Sequence, residues 1–102
     1  MPSYRDRMNI IADILTVVAN QAKKTQIMYR ANLSYETLQR YLTLLLDASL
    51  VDFVPQKQRY MLTEKGENFL SVYQEYDRLN KSIESNLSTL QVKRKVLEQL
   101  CP

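Results

Sequence analysis

The sequence predicts a mainly helical protein of the α+β class, and three observations lead to this prediction. Apolar residues recur every three or four positions in three separate stretches of the N-terminal half. Two short runs rich in β-branched and aromatic residues follow, with a proline-containing turn between them. From Glu67 to Cys101 the chain contains neither glycine nor proline, so a long terminal helix is expected.

The first helix is expected from about Arg5 to Asn20. Its apolar stripe, spaced by three and four residues, consists of Met8, Ile11, Leu15, Val18 and Ala22. Lys23 and Lys24 come next, just before Thr25, which is the expected N-cap of the second helix. Two cations at a helix start oppose the helix dipole, so these lysines are either simply solvated or compensated by a docked phosphate.

A second and a third helical pattern meet across the short joint Asn32-Leu33-Ser34, where Ser34 is the expected cap of the third helix. Such a short joint is typical of the helix-turn-helix arrangement. The apolar face of the third helix is expected to contain Leu38, Tyr41, Leu42, Leu45 and Ser49, opposite Glu36, Arg40, Thr43 and Asp47. By itself this pattern fits either a DNA recognition helix or an amphipathic core helix with a solvated face.

A β-hairpin is predicted after the third helix. Its strands are Leu50 to Val54 and Arg59 to Leu62, joined by the turn Pro55 to Gln58. A hairpin in this position is the wing of a winged helix-turn-helix fold. The tip side chains, which can reach a DNA backbone or minor groove, are Gln56, Lys57, Gln58 and Arg59.

The C-terminal third is predicted to be one helix, capped by Thr63 and starting at Glu64. Large side chains recur there every seven residues, as in a coiled coil. The residues expected at the dimer contact are Tyr76, Leu79, Ile83, Leu87, Leu90 and Leu97. Alternatively, the poor helix formers from Ser85 to Thr89 break this helix, and its end packs back on its own domain.

Charge favours antiparallel pairing of two such helices. A parallel pair would bring two Lys93-Arg94-Lys95 clusters together, whereas an antiparallel pair crossing near Ser85 sets Lys93 beside Asp77 of the other chain. Exposed ion pairs contribute only ~0.2–1 kcal/mol each. The predicted fold is therefore a winged helix-turn-helix DNA-binding domain with a small β-hairpin wing, residues 1–66, followed by an antiparallel coiled-coil dimerisation helix, residues 67–102.

The positive charge lies in the N-terminal part of the chain. Residues 1–62 hold eight Lys and Arg against five Asp and Glu (8 − 5 = +3), and residues 63–102 hold six of each (6 − 6 = 0). An anionic partner is therefore expected at the N-terminal part. There is no histidine and no glycine-rich phosphate loop, and Cys101 is the single cysteine. We therefore expect no enzyme, metal, cofactor or small-molecule ligand.

No apolar run approaches the ~18 residues that cross a bilayer, and no apolar leader follows Met1. The expected location is the cytoplasm, in association with the nucleoid. Of the seven tyrosines, most fall on faces assigned to cores, so core packing is expected rather than stacking on single-stranded bases.

Two strings carry a resemblance to a known family. Lys24 to Tyr35 has the form K-T-x-I-M-Y-x-A-N-L-S-Y, and Leu62 to Leu70 has the form L-T-x-K-G-x-x-F-L. Over roughly residues 8–73 the chain resembles the archaeal winged-helix DNA-binding proteins of the Sulfolobus ten-a type. The resemblance implies a winged domain, a long helix that pairs two chains, and duplex DNA as the ligand. Ser49 departs from the family, which has glycine before the Leu50 strand.

The expected function is double-stranded DNA binding by a homodimer, as a transcriptional regulator or a chromatin-type architectural protein. The residues expected to approach bases or adjacent phosphates are Ser34, Tyr35, Thr37, Gln39 and Arg40. Those expected to hold the DNA backbone are Lys23, Lys24, Arg30, Lys57 and Arg59. The alternative is a winged-helix protein-interaction scaffold that dimerises without binding DNA.

Overall fold

The structure, a computed structural model, describes residues 5–101; residues 1–4 of the predicted DNA-binding domain and Pro102 lie outside the described residues. The chain divides between Ser71 and Val72 into two units. Its elements are α1 Arg7–Val18, α2 Lys24–Arg30, α3 Tyr35–Asp47, β1 Val51–Val54, β2 Arg59–Leu62 and α4 Glu64–Leu100. This mostly helical arrangement with a two-stranded hairpin confirms the predicted winged helix-turn-helix fold class. The functional boundary placed after residue 66 stays a prediction.

Helix α1 is two residues shorter at each end than predicted. Asp6 caps it, because its carboxylate accepts a hydrogen bond from the Asn9 amide at 2.8 Å. Arg5 lies before the cap and forms an ion pair with Asp13 at 2.6 Å. After the helix, Gln21 adopts a left-handed backbone conformation with φ 57°, which turns the chain toward α2. The helix contributes its buried face, Ile11, Ala12, Ile14, Leu15 and Val18, to the core.

The helix-turn-helix is present, with one correction at the start of α2. Lys23, not Thr25, is the N-cap, because the Gln26 side chain accepts from the Lys23 amide at 2.9 Å and so starts the helix two residues earlier. Ser34 caps α3 as predicted, since its hydroxyl accepts from the Thr37 amide at 3.2 Å. Four fully buried side chains join the two helices in the core: Ile27, Leu38, Leu42 and Leu45.

Ser49 does not belong to the buried face of α3, where the sequence placed it. It is exposed and left-handed, with φ 63°. The Leu50 amide donates to the Leu45 carbonyl at 2.9 Å, and the Ser49 amide donates to the Leu46 carbonyl at 3.1 Å. These two bonds form a Schellman motif, whose left-handed position favours glycine. Serine therefore occupies this position at a conformational cost.

The hairpin closely matches its prediction, except that β1 begins at Val51. Phe53 pairs with Tyr60 in the antiparallel register, and their ring centroids are 5.0 Å apart. The sequence did not predict a third partner of the sheet, Ala22. Its amide donates to the Tyr60 carbonyl at 3.1 Å, and its carbonyl accepts from the Tyr60 amide at 2.8 Å. Because the Tyr60 backbone groups bond to Ala22, Phe53 and Tyr60 form a non-hydrogen-bonded pair with closely spaced side chains.

Thr63 caps α4 as predicted and also forms a hydrogen bond to the segment that follows α3. Its hydroxyl accepts from the Gly66 amide at 3.0 Å and donates to the Ser49 carbonyl at 2.7 Å. Lys65 forms a second hydrogen bond between α4 and the end of α3, since its ammonium donates to the Ala48 carbonyl at 2.7 Å. These contacts hold the first turn of α4 in the first unit.

The second unit begins at Val72 and contains the part of α4 from there to Leu100. The predicted continuous helix is confirmed and the alternative break does not occur, since Ser85 to Thr89 are helical and the Thr89 hydroxyl donates to the Ser85 carbonyl at 3.0 Å. Large apolar side chains are exposed along this unit, including Ile83 (57%), Leu90 (63%) and Leu97 (65%). Lys81 forms an ion pair with Asp77 at 3.0 Å, and the hydrogen bond and charge of Asp77 raise the pKa of Lys81.

Candidate nucleic-acid interface

The outward face of α3 is polar and exposed, as a recognition helix requires. Tyr35, Gln39 and Arg40 are exposed on it, together with the acidic Glu36 and Asp47. The hydroxyls of Ser34 and Thr37 bond to each other at 2.9 Å within the N-terminal cap. These two residues therefore position the start of the helix.

Three predicted site residues are in direct contact. The ammonium of Lys24 in α2 donates hydrogen bonds to the Gln39 amide oxygen and, at 3.2 Å, to the Tyr35 hydroxyl. The same ammonium lies 4.4 Å from the centroid of the Tyr35 ring, which is a cation–π contact. We call Lys24, Tyr35 and Gln39 the α2–α3 cluster. It fixes a cation beside the exposed face of α3.

A hollow connects the start of α2 with the wing. Its polar lining includes Lys23, Lys24, Thr25 and Gln58, and its apolar lining is Phe53, Pro55 and Tyr60. Lys57 and Arg59 flank Gln58 along the chain. The Ala22–Tyr60 bridge holds this part of the structure together, because Lys23 follows Ala22 directly and Tyr60 belongs to β2. The hollow thus combines cationic and apolar groups on one surface.

Two predicted residues line other hollows. Arg40 lines a shallow hollow with Arg7, Tyr41 and Leu44. Arg30 lines another, in which Arg5 bonds to Asp13 and to the Asn32 carbonyl at 3.2 Å. The sequence did not nominate Arg7, because no spacing rule shows that the start of α1 lies beside α3. Arg7 extends the cationic surface next to Arg40.

The tyrosines agree only in part with their predicted role in the core, against which Tyr41 and Tyr60 pack. Tyr29 is 80% exposed and Tyr35 is 59% exposed, and Tyr76 is also exposed. Tyr41, Tyr60 and Tyr73 are half-buried, and Tyr4 lies outside the described residues. For Tyr35, the reason is its position at the edge of α3 toward Lys24, where its ring contacts a cation rather than the core. Sequence periodicity places a residue on a helix face, but it does not show how far the neighbouring helix covers that face.

Within residues 5–101 no group of three His, Cys, Asp or Glu side chains is placed to hold a metal ion. No helix in that range is long and apolar enough to cross a membrane. The exposed charged groups on α3 and the wing include Arg40 and Lys57 as well as the acidic Glu36, Asp47 and Asp52. The groups that can contact an anion are concentrated in the α2–α3 cluster and in the hollow beside the wing.

A helix-turn-helix followed by a hairpin wing defines a winged-helix protein. A family model described as winged helix-turn-helix matches residues 4–81, and the chain belongs to this family. The chain is 43% identical over 82 residues to an uncharacterized protein of Methanocaldococcus jannaschii. The match covers 78% of this chain but only 37% of that relative, so the chain spans little more than a third of the relative's length.

Among solved structures, the chain is similar to Sso10a-2, a DNA-binding protein from Sulfolobus solfataricus. The TM-score is 0.79 at 25% sequence identity, and the match covers 85% of this chain and 94% of that chain. This finding and the family match confirm the resemblance to archaeal winged-helix proteins of the Sulfolobus type. They also support a non-enzymatic protein, as the sequence predicted.

Proposed function

We propose that this protein binds double-stranded DNA through α3, the start of α2 and the wing. The observation that carries the proposal is the shared hollow, in which Lys23 and Lys24 lie with the wing residue Gln58 beside the recognition helix. The positive surplus of the chain lies in this part of the sequence. Membership of the winged helix-turn-helix family and the similarity to a DNA-binding protein support the same ligand.

The residues take different roles in this proposal. Tyr35, Gln39 and Arg40 approach base edges, because they are exposed on the outward face of α3. Lys23, Lys24, Lys57 and Arg59 contact phosphates from the two sides of the hollow. Arg30, which lies in a separate hollow, contacts the backbone farther along. Ser34 and Thr37 act by fixing the start of α3.

We further propose that two chains pair through the exposed apolar face of the second unit. Burial of each large apolar side chain contributes a favourable free energy of ~1.5 kcal/mol or more, so pairing with a partner helix is strongly favoured. The dimer contact consists of Tyr76, Leu79, Ile83, Leu87, Leu90 and Leu97. An antiparallel pair that crosses near Ser85 places Lys93 near Asp77 and Lys95 near Glu75 of the other chain, so opposite charges meet beside the apolar contact.

A dimer carries two recognition helices, so it can contact two major grooves or link two duplexes. This arrangement suits a nucleoid-associated protein that acts as a transcriptional regulator or as an architectural protein. In both roles the chain would be found with the chromosome in the cytoplasm. A comparison of chromosomal sites bound in cells separates the two roles, because a regulator occupies few sites and an architectural protein occupies many.

Binding to a labelled duplex at 50 and 200 mM salt tests the DNA proposal. We expect binding at the lower salt concentration and a loss of affinity on the order of several hundredfold at the higher one, because each of the five proposed phosphate contacts releases a counterion. A protein-interaction scaffold gives no measurable binding at either concentration. That result, obtained with folded protein, would exclude DNA binding.

A further inference from the structure

We infer that Gln39 is a specificity-determining residue that favours guanine or thymine over adenine and disfavours cytosine most, because the Lys24 ammonium is bonded to its amide oxygen. The inference rests on the proposed DNA binding and adds the base preference at one position. It follows from the hydrogen bonds of the α2–α3 cluster.

The contact between Lys24 and Gln39 fixes which end of the amide is engaged. An ammonium group carries three donors and no acceptor, so it faces the oxygen of the Gln39 amide and not the nitrogen. The NH2 group, which only donates, therefore remains free for a ligand, whereas the oxygen already accepts from a cation and keeps one lone pair.

Tyr35 holds Lys24 in this position. The Lys24 ammonium lies 3.2 Å from the Tyr35 hydroxyl and 4.4 Å from the centroid of its ring. Lys24 is half-buried, whereas Gln39 is exposed. The lysine is thus anchored by two further contacts, while the glutamine faces solvent with one end already bonded.

A free glutamine commonly recognises adenine with two hydrogen bonds, donating to N7 and accepting from the N6 amine. The Gln39 oxygen keeps one lone pair for the second bond, but the Lys24 ammonium beside it repels a further donor such as the N6 amine, so the second hydrogen bond to adenine is weakened. Guanine presents two acceptors, N7 and O6, and thymine presents O4. Cytosine presents an N4 donor, which faces another donor on Gln39. The expected order is guanine and thymine first, then adenine, then cytosine.

A selection from a duplex pool with randomised positions tests this inference. The bound fraction is sequenced for the wild type, Lys24→Met, Gln39→Ala and the matched control Lys57→Met, which removes a cation from the wing without touching Gln39. The informative position is the one whose base preference disappears in Gln39→Ala. We expect guanine and thymine there for the wild type and for Lys57→Met. In Lys24→Met, the ratio of adenine to guanine at that position should rise roughly fivefold or more.

Three outcomes overturn the inference while leaving DNA binding intact. These are an adenine preference in the wild type, an unchanged preference in Lys24→Met, and no position that responds to Gln39→Ala. An adenine preference in the wild type would mean that Lys24 does not keep its hydrogen bond to Gln39 in the complex. Absence of binding to any duplex by the wild type would reject the proposed function together with the inference. Thermal unfolding of each variant confirms that the comparison is between folded proteins.

Discussion

Gly66 is the single glycine of the chain, and it is required by a close contact rather than by its backbone angles. A Cβ at this position would lie 2.2 Å from the Leu50 carbonyl oxygen and 2.6 Å from a methyl carbon of Leu62. Alanine is favoured over glycine inside a helix by ~1 kcal/mol, so propensity alone predicts stabilisation by Gly66→Ala. The contact opposes this gain, because one of the clashing atoms belongs to the backbone.

We therefore expect Gly66→Ala to lower the free energy of unfolding by about 3 kcal/mol, at the upper end of the range for overpacked cores. Urea denaturation measures the change. Asn68→Ala is the control, because Asn68 is exposed on the same helix and the substitution follows propensity. Equal or greater stability of Gly66→Ala would contradict the close approach of α4 to Leu50.

At Ser49 we expect a substitution to stabilise the protein, in contrast to Gly66→Ala. Its left-handed conformation costs an L-residue ~1–2 kcal/mol, which glycine avoids, although glycine also adds freedom to the unfolded chain. We expect Ser49→Gly to raise the free energy of unfolding by about 0.5–1 kcal/mol. Ser49→Ala keeps the Cβ and should give no such gain. A loss of stability in Ser49→Gly would show that the serine side chain stabilises the turn. The measurement is the denaturation midpoint of the wild type, Ser49→Gly and Ser49→Ala, compared at equal dependence of the unfolding free energy on denaturant concentration.

At the scale of elements, the wing and the recognition helix should contribute differently to DNA binding. In the proposed complex Lys57 contacts a phosphate, so we expect Lys57→Ala to flatten the slope of log affinity against log salt by about 0.9. Arg40→Ala should instead reduce affinity unequally among duplex sequences, because it removes a contact to base edges. Lys81→Ala, in the second unit, is the control and should leave both quantities unchanged. If both variants keep the wild-type affinity and the wild-type salt dependence, neither Lys57 nor Arg40 belongs to the DNA interface.

The elements could be predicted from the sequence wherever a local signal determines them. Ser34 and Thr63 are caps because the chain places a hydroxyl before a helical pattern, and the structure gives each of them its amide partner. Thr25 fits the same rule but lies inside α2, because the Gln26 side chain caps the helix at Lys23. The pairing of Ala22 with Tyr60 joins residues far apart in sequence, and a single residue has no strand periodicity.

The candidate site was predictable in its composition but not in its contacts. Helix periodicity placed Arg40 on the outward face of α3, and Tyr35 and Gln39 were predicted from their positions near the start of the helix; all three are exposed. The contact of Lys24 with Gln39 depends on how α2 packs against α3, which no local pattern specifies. Arg30 was grouped with the other cations by charge alone, and the structure places it in a separate hollow.

At the scale of the whole molecule, the oligomeric state decides how many recognition helices act together. We expect the wild type to sediment at micromolar concentration as a dimer and Leu90→Lys as single chains, because the substitution introduces a charge into the apolar face. Gln91→Lys introduces the same charge beside that face and should remain a dimer. Equal dissociation of both variants, or a wild type that sediments as single chains, would contradict pairing through this face.

The two backbone hydrogen bonds between Ala22 and Tyr60 couple the wing to the segment that leads into α2. Because they connect both sides of the hollow, its two cationic edges are preorganised, and little conformational entropy is lost when a ligand binds. The Ala22 and Tyr60 amides should therefore exchange hydrogen with solvent slowly even in the free protein. Such a preformed surface would associate with its ligand without waiting for a loop to fold.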